Sequence, residues 1–409
     1  MTNTHYDILV LGTGPAGAAA ARGLASLGYH VLCLGQIRSP KTVEGISERV
    51  VNALDHQGFT QALHVLSEPI PRQVLWNGVA SAANTEYLVD RQRFDAALME
   101  DLQQLGVTVV QDLASSAEPG DDAWQVTTQT GRRFSGQFLI EARGRRASSD
   151  APCLRRGPET VAMGLKWTIP SSEIRPAGVM AFSHATGWGW FVQDGRGMAF
   201  SQLSMAAERA TVKASQDAEA FIRQMLSDLG AANPLPSGAR PADAAHYRGS
   251  TALLHDAIGT RNKLRIGDAA MAVDPLSGNG IFQSLSSAMA APAVINTVLQ
   301  RPEDSDMALR FYQDRCEHLF ERFSRMGRDF YQLIDGERAS AFWEERQNWP
   351  DQQPSHVQPD RVLGTAERPV INDGFIETKT VVITADQPLG VWRVNGQDAV
   401  ELLQAKQRD

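Results

Sequence analysis

Residues 267–289 read GDAAMAVDPLSGNGIFQSLSSAM, and this stretch decides the fold once it is set beside residues 12–17, GTGPAG. Gly12, Gly14 and Gly17 follow the apolar run 8–11 and open an Ala-rich run, 18–27. That order predicts strand, tight turn, helix. The N–H groups and dipole at a helix N-terminus favour an anion, so this turn, with Pro15 and Ala16 inside it, suits the pyrophosphate of a dinucleotide. The later stretch repeats the device. Residues 264–266 read as a short strand, Asp268 follows, and Pro275, Gly278, Asn279 and Gly280 shape a loop into a helix starting near Ile281. Small residues let a backbone approach a flat ring and aim N–H groups at it. Together, in this order, the two motifs point to FAD.

The chain has 409 residues, enough for one large domain or two to three ordinary ones. Its net charge of −8 argues against a nucleic-acid or anionic-membrane footprint. Three widely spaced cysteines (Cys33, Cys153, Cys316) suggest neither a disulfide framework nor a zinc site, and the nine histidines show no metal-ligand spacing, so no metal is expected. The first strand begins almost at the N-terminus, and no apolar run approaches the roughly 18 residues of a membrane span. The expectation is a cytoplasmic protein.

Residues 6–36 read as strand–helix–strand, with 29–34 the second strand. Dinucleotide sites of this kind usually end that strand with an acid that takes the ribose hydroxyls. Here the position is Gly35, followed by Gln36, a neutral donor and acceptor that can still meet a ribose. Residues 41–58 read as a loop and an amphipathic helix. Residues 87–110 read as strand, helix from Arg91, Gly106 cap and strand, and 138–140 as a strand. From 162 to 203 the pattern is strand-like and aromatic, and helix returns over 216–229. Long helical patterns cover 281–299 and 305–335, 350–359 is a linker, and the tail reads as short strands (375–379, 381–384, 391–394) and a helix, 397–406. The expected fold is α/β: a Rossmann-like FAD-binding domain (1–75, 88–155, 250–300) interleaved with a β-sheet substrate domain (76–87, 156–249). A helical segment (301–350) and a small α+β module (360–409) follow.

The succession GTGPAG, YLVDRQRFDAALMEDLQQLGVTVV (87–110), FLIEARGRRA (138–147) and GDAAMAVDPLSGNGI resembles the FAD-dependent monooxygenases of the p-hydroxybenzoate hydroxylase fold. The branch it is most similar to includes the tryptophan halogenases and flavoproteins that mature tryptophan-derived quinone cofactors. The resemblance spans about residues 5–350. It implies that Gly12, Gly14 and Gly17 hold the FAD pyrophosphate and that Arg91 reaches the phosphates. It further implies that Asp268 contacts the ribityl or pyrophosphate region and that residues 275–281 lie against the isoalloxazine. Arg49 is a further phosphate candidate. Arg143 stands where the family usually has Thr or Ser.

Residues 187–191, GWGWF, resemble the halogenase W-x-W-x-I-P signature without its end. Alternation along a strand puts Trp188 and Trp190 on one face, so one wall of the substrate pocket is expected to be aromatic, with Phe191 and Trp76 as further lining. The halogenases' lysine has no counterpart, because no lysine occurs between Lys41 and Lys166. Arg72 is the cation of the corresponding segment, and arginine cannot act as a neutral amine. For a catalytic base the candidates are Glu44 and His184. The function implied is a monooxygenase that hydroxylates an aromatic substrate through a flavin C4a-hydroperoxide: tryptophan, indole, or a peptidyl tryptophan of a partner protein. Reducing power would come from NAD(P)H or a separate flavin reductase. Three alternatives remain: a halogenase, disfavoured by the missing lysine; a flavin-dependent C=C reductase; and a non-catalytic FAD-binding maturation partner.

Overall fold

Ile8, Leu9, Val10 and Leu11 are fully buried because the strand Thr4–Leu11 is covered on both faces, as a continuous apolar run in a parallel sheet requires. In the computed structural model, which describes residues 4–37, 42–147, 152–208, 217–335, 340–357 and 361–406, this strand is central. The parallel order is Lys263–Arg265, Arg133–Glu141, Thr4–Leu11, Val31–Gly35, Thr108–Gln111. An antiparallel pair, Ala114–Pro119 and Trp124–Thr128, is added along Arg133–Glu141. At the edges of the expected segments and units, Met1, Lys41, Gln216, Pro359, Asp360 and Asp409 lie outside the described residues.

Both Gly motifs open helices, Pro15–Ser26 and Gly280–Gln300, and small side chains let these two pack closely. Ala18, Ala19, Ala20 and Ala21 are buried, and a Cβ at Gly23 would fall 2.6 Å from Pro292 Cγ. The contact carries the motif starts together: a Cβ at Gly267, where φ is +57°, would lie 2.7 Å from Ala16 Cβ. Two stretches far apart in sequence thus form one cradle at the carboxyl ends of the parallel strands, the position where α/β sheets bind ligands.

The second sheet runs Arg240–Pro241, Thr160–Thr168, Met198–Ala206, Gly187–Gln193, Gly178–His184, Ile70–Trp76, Val79–Asp90, Val43–Ile46, with His246–Gly249 also on Thr160–Thr168. One face is covered by the helix Ala218–Ser227, whose Ile222 and Leu226 pack on Leu165, Trp167, Phe182, Phe191 and Leu203. The other face looks at the helices Ser305–Tyr331 and Ala341–Gln347 and at the second Gly loop.

Val43–Ile46 and all but the last residue of Ile70–Trp76 fall within the 1–75 expected for the FAD-binding unit, yet both strands pair into this second sheet. The cause is a hairpin at Asn77-Gly78, both at positive φ (51° and 78°), which folds Ile70–Trp76 onto the long strand Val79–Asp90. The far end of that strand then pairs with Val43–Ile46. The tail forms a second hairpin, Val362–Asn372 with Phe375–Thr384. It docks on Gly280–Gln300: Asn296 Nδ2 donates to Gly374 O (2.8 Å), Ile376 N to Thr297 Oγ1 (2.8 Å), and Arg301 pairs with Glu377 (3.0 Å). Among the described residues no helix is long and apolar enough to cross a membrane.

Candidate functional site

The first cradle rests on two glycines, Gly12 and Gly17, that leave no room for a side chain. Gly12 sits at φ +119°, and a Cβ there would meet Ala142 O at 2.3 Å; a Cβ at Gly17 would meet Gly12 O at 1.9 Å. Gly14 caps the helix Pro15–Ser26 without any side-chain hydrogen bond, so the first N–H groups remain open to an anion. Gly35 ends the second strand, and a Cβ there would strike Thr13 Oγ1 at 2.3 Å. The usual acid is therefore excluded at that position by Thr13, and Gln36 stands exposed just beyond it.

In the second loop Gly278 is at φ +65°, and a Cβ at Gly278 or Gly280 would meet nothing within 4 Å. This is open space over exposed backbone, which a flat ring can approach. Asp274 shapes the loop from below: its Oδ1 accepts from Leu276 N (2.9 Å) and its Oδ2 from Tyr331 OH (2.9 Å). Burial pushes the Asp274 carboxyl above its usual range. Pro275 and Asn279 are half-buried and Ile281 is buried. Gln283, one turn into the following helix, is 2% exposed, and neither of its amide atoms has a protein partner. An orphaned buried amide beside an open loop fits a polar ligand there. Asp268 is partly exposed; its contacts are Arg145 Nε at 3.7 Å and Ser284 Oγ at 3.4 Å. The uncapped helix, the open loop and the orphaned amide together fit FAD.

The arginines are arranged differently from expectation. Arg91 is buried, with its guanidinium on Asp95 Oδ1 (2.9 Å) and Glu44 Oε1 (3.1 Å). Glu44 is also bound by Arg248 (3.1 Å), which reaches on to Gln202 (3.1 Å). Two cations and two carboxylates are thus linked, from buried Arg91 and Asp95 through Glu44 to partly exposed Arg248. A buried guanidinium needs such partners, so Arg91 does not stand free for phosphates and Glu44 does not stand free as a base. Arg49 is exposed on the helix Glu48–His56. At the position that departs from the family pattern, Arg143 Nε (2.9 Å) and Nη2 (2.5 Å) hold the two oxygens of buried Glu141. Arg145, which the sequence did not single out, lies in the turn Gly144–Arg146 beside Asp268.

Trp188 and Trp190 do share a face, and that face meets the C-terminal helices. Trp188, Tyr331, Ile334, Phe342 and Trp343 form one buried cluster, with Trp76, Trp190 and Leu276 of the second Gly loop packed against it. Trp76 and Trp343 meet edge to face with centroids 5.7 Å apart, and Tyr331 and Trp343 do so at 5.8 Å. Trp190 Nε1 donates to Glu86 Oε2 (3.2 Å), whose other oxygen is held by Arg72 (2.8 Å). Phe191 does not line this wall. Strand alternation turns it to the opposite face, into the cluster with Phe182 and Trp167. His184 goes the same way, its ring beside Phe182 and its Nδ1 accepting from Thr186 N (3.2 Å). Tyr331, Phe342 and Trp343 were missed because a helical pattern far downstream carries no sign of which sheet face it covers. A groove of about 330 Å³, lined by Gln73, Leu75, Ala80, Ala82 and Met180, holds none of the expected site residues.

A family model described as tryptophan halogenase matches residues 68–364, well over half the chain. Among solved structures the chain is similar to the peptidyl tryptophan dihydroxylase QhpG, essential for tryptophylquinone cofactor biogenesis. The identity is 42%, covering 98% of this chain and 93% of that one, with a TM-score of 0.82. Among curated proteins it is 24% identical to a tryptophan 2-halogenase of Chondromyces crocatus, over 83% of this chain and 70% of that protein. It is also 25% identical to digeranylgeranylglycerophospholipid reductase 2 of Methanopyrus kandleri, over 77% of this chain and 83% of that protein.

Proposed function

We propose that this chain, which belongs to the tryptophan halogenase family, hydroxylates the indole ring of a tryptophan, and that this tryptophan is part of a partner protein. The chain is an FAD-dependent oxidoreductase. Bound FAD supplies electrons and delivers one oxygen atom of O₂ to an electron-rich carbon. The residues do the rest. The uncapped start of Pro15–Ser26 holds the pyrophosphate, and Gly278 and Gly280 let the loop meet the ring. Trp76 and Trp190, partly exposed on the cluster formed by Trp188, Tyr331 and Trp343, offer flat faces to an indole and keep water from the reacting carbon.

The observation that carries hydroxylation over halogenation is the makeup of this wall. Among the described residues of the second sheet, Lys166 is the single lysine. It lies 3.9 Å from Asp90, four residues along its strand from Ala162, which is level with Ser204 and Trp188. At about 3.3 Å per residue that is roughly 13 Å along the strand from the level of Trp188 and, counted from Gly164, roughly 7 Å from that of Trp190. The peptidyl substrate is supported by the 42% identity to the dihydroxylase over 98% of the chain. Reducing equivalents would reach FAD from NAD(P)H directly or from a separate flavin reductase.

Halide competition tests the choice. With reduced FAD, O₂ and chloride or bromide, a tryptophan-bearing acceptor should gain the mass of oxygen, and without an acceptor the enzyme should release peroxide. A product carrying halogen would overturn hydroxylation and show that a lysine is dispensable.

A further inference from the structure

We infer that Arg145 is the cation that holds the negative charge of the reduced FAD ring. The inference depends on FAD binding and not on which acceptor is oxidised.

The placement of Arg145 is built by its neighbours. Gly144 is at φ +61°, a conformation that side chains rarely adopt, and it turns the chain at the end of Arg133–Glu141. A Cβ on Gly144 would come within 3.8 Å of Asp268 Cβ, so the turn sits directly on the start of the second Gly motif. From there the guanidinium spans to two carbonyls, Thr251 O and Val273 O (3.5 Å to the latter). Val273 directly precedes Asp274 and the Pro275–Ser277 turn, so Arg145 stands at the entry of the loop that leaves open space for the ring. The same turn also borders the first motif, where a Cβ on Gly12 would fall 3.0 Å from Arg143 N, so a comparison of oxidised and reduced FAD is needed to separate the ring from the phosphates.

Among the described residues Arg145 has one long ion pair, to Asp268 at 3.7 Å, and no carboxylate within hydrogen-bond distance. Its carbonyl partners are neutral. The other charges that act on it are Asp274, which is buried, and Arg248, which repels it from the second sheet. Burial and Arg248 both disfavour its charge, yet an arginine stays protonated in proteins. Arg91, the cation expected to serve the cofactor, is neutralised by Glu44 and Asp95. Arg145 keeps 26% of its side chain exposed.

Reduction adds two electrons and one proton to the ring. The proton goes to N5, and the charge left over rests on the N1–C2 carbonyl end. A fixed cation there favours the reduced form over the oxidised one, and by linkage raises the midpoint potential.

The test uses the full chain with FAD. Arg145→Gln should bind oxidised FAD within threefold of wild type but lose at least tenfold in affinity for reduced FAD. A tenfold loss relative to oxidised FAD appears as a midpoint potential lowered by about 30 mV for a two-electron couple. Arg145→Lys should retain most of the potential, because the charge is kept. Equal weakening of both redox states would mean a phosphate contact and would overturn the inference. An unchanged potential in a folded, FAD-loaded variant would overturn it too. Should Arg145→Gln fail to fold, Arg145→Met, neutral and of similar length, carries the same expectation.

Discussion

The Gly14→Val protein is expected to fold and to bind no FAD. Gly14 has φ −71° and ψ −177°, a backbone any residue adopts, so a side chain adds no strain there. What it adds is an isopropyl group in front of uncapped N–H groups, where the pyrophosphate must sit. The melting temperature of the apoprotein should stay near wild type while FAD affinity falls by at least about 100-fold, roughly 3 kcal/mol. Gly17→Val makes the contrast, because its Cβ would lie 1.9 Å from Gly12 O. That variant should lose FAD by losing the turn itself, with a lower melting temperature. Flavin absorbance at full occupancy in Gly14→Val would remove the motif from the site.

Trp190→Ala should shift the outcome of turnover more than it shifts FAD binding. The ring packs near Trp188 and Leu276 on one side and near Phe200 on the other, and its N–H reaches Glu86. Removing it takes away a stacking surface and admits water next to the reacting carbon, so peroxide release should rise relative to product. The change also costs stability, up to about 3 kcal/mol, because a half-buried tryptophan leaves less of a cavity than a core one. Melting temperature, FAD occupancy and the peroxide-to-product ratio, measured on one preparation, separate the two effects. Lower stability with an unchanged ratio would make Trp190 a packing residue only. Trp190→Phe, which keeps a ring and drops the Glu86 bond, should recover most of the ratio.

The nucleotide-binding half was legible because its geometry is local. A strand, a Gly turn and a helix lie within some twenty residues, Gly12 and Gly17 stand where a side chain would clash, and Gly278 takes a positive φ. The period-2 reading of Trp188 and Trp190 held for the same reason, and the same rule, applied one residue on, turns Phe191 to the other face. What stayed hidden depends on long-range pairing. Arg91 looked free, yet Glu44 and Arg248 are brought to it by a strand and a sheet far apart in sequence. The Asn77-Gly78 hairpin was written plainly, but its effect on Ile70–Trp76 follows only once Val79–Asp90 is recognised as one strand. Trp343 and Tyr331 complete the wall from a helical segment whose sequence shows amphipathicity and no partner.

The most direct measurement supplies the FAD-loaded, reduced enzyme with isotopically heavy O₂ and a tryptophan-bearing polypeptide, then reads the mass of the tryptophan residue. The expected result is heavy oxygen on the indole ring, with O₂ consumed in step and no label entering from water. A tryptophan that gains halogen, or one left unmodified by an enzyme that instead reduces a C=C acceptor without consuming O₂, would contradict hydroxylation at the Trp188–Trp190 wall.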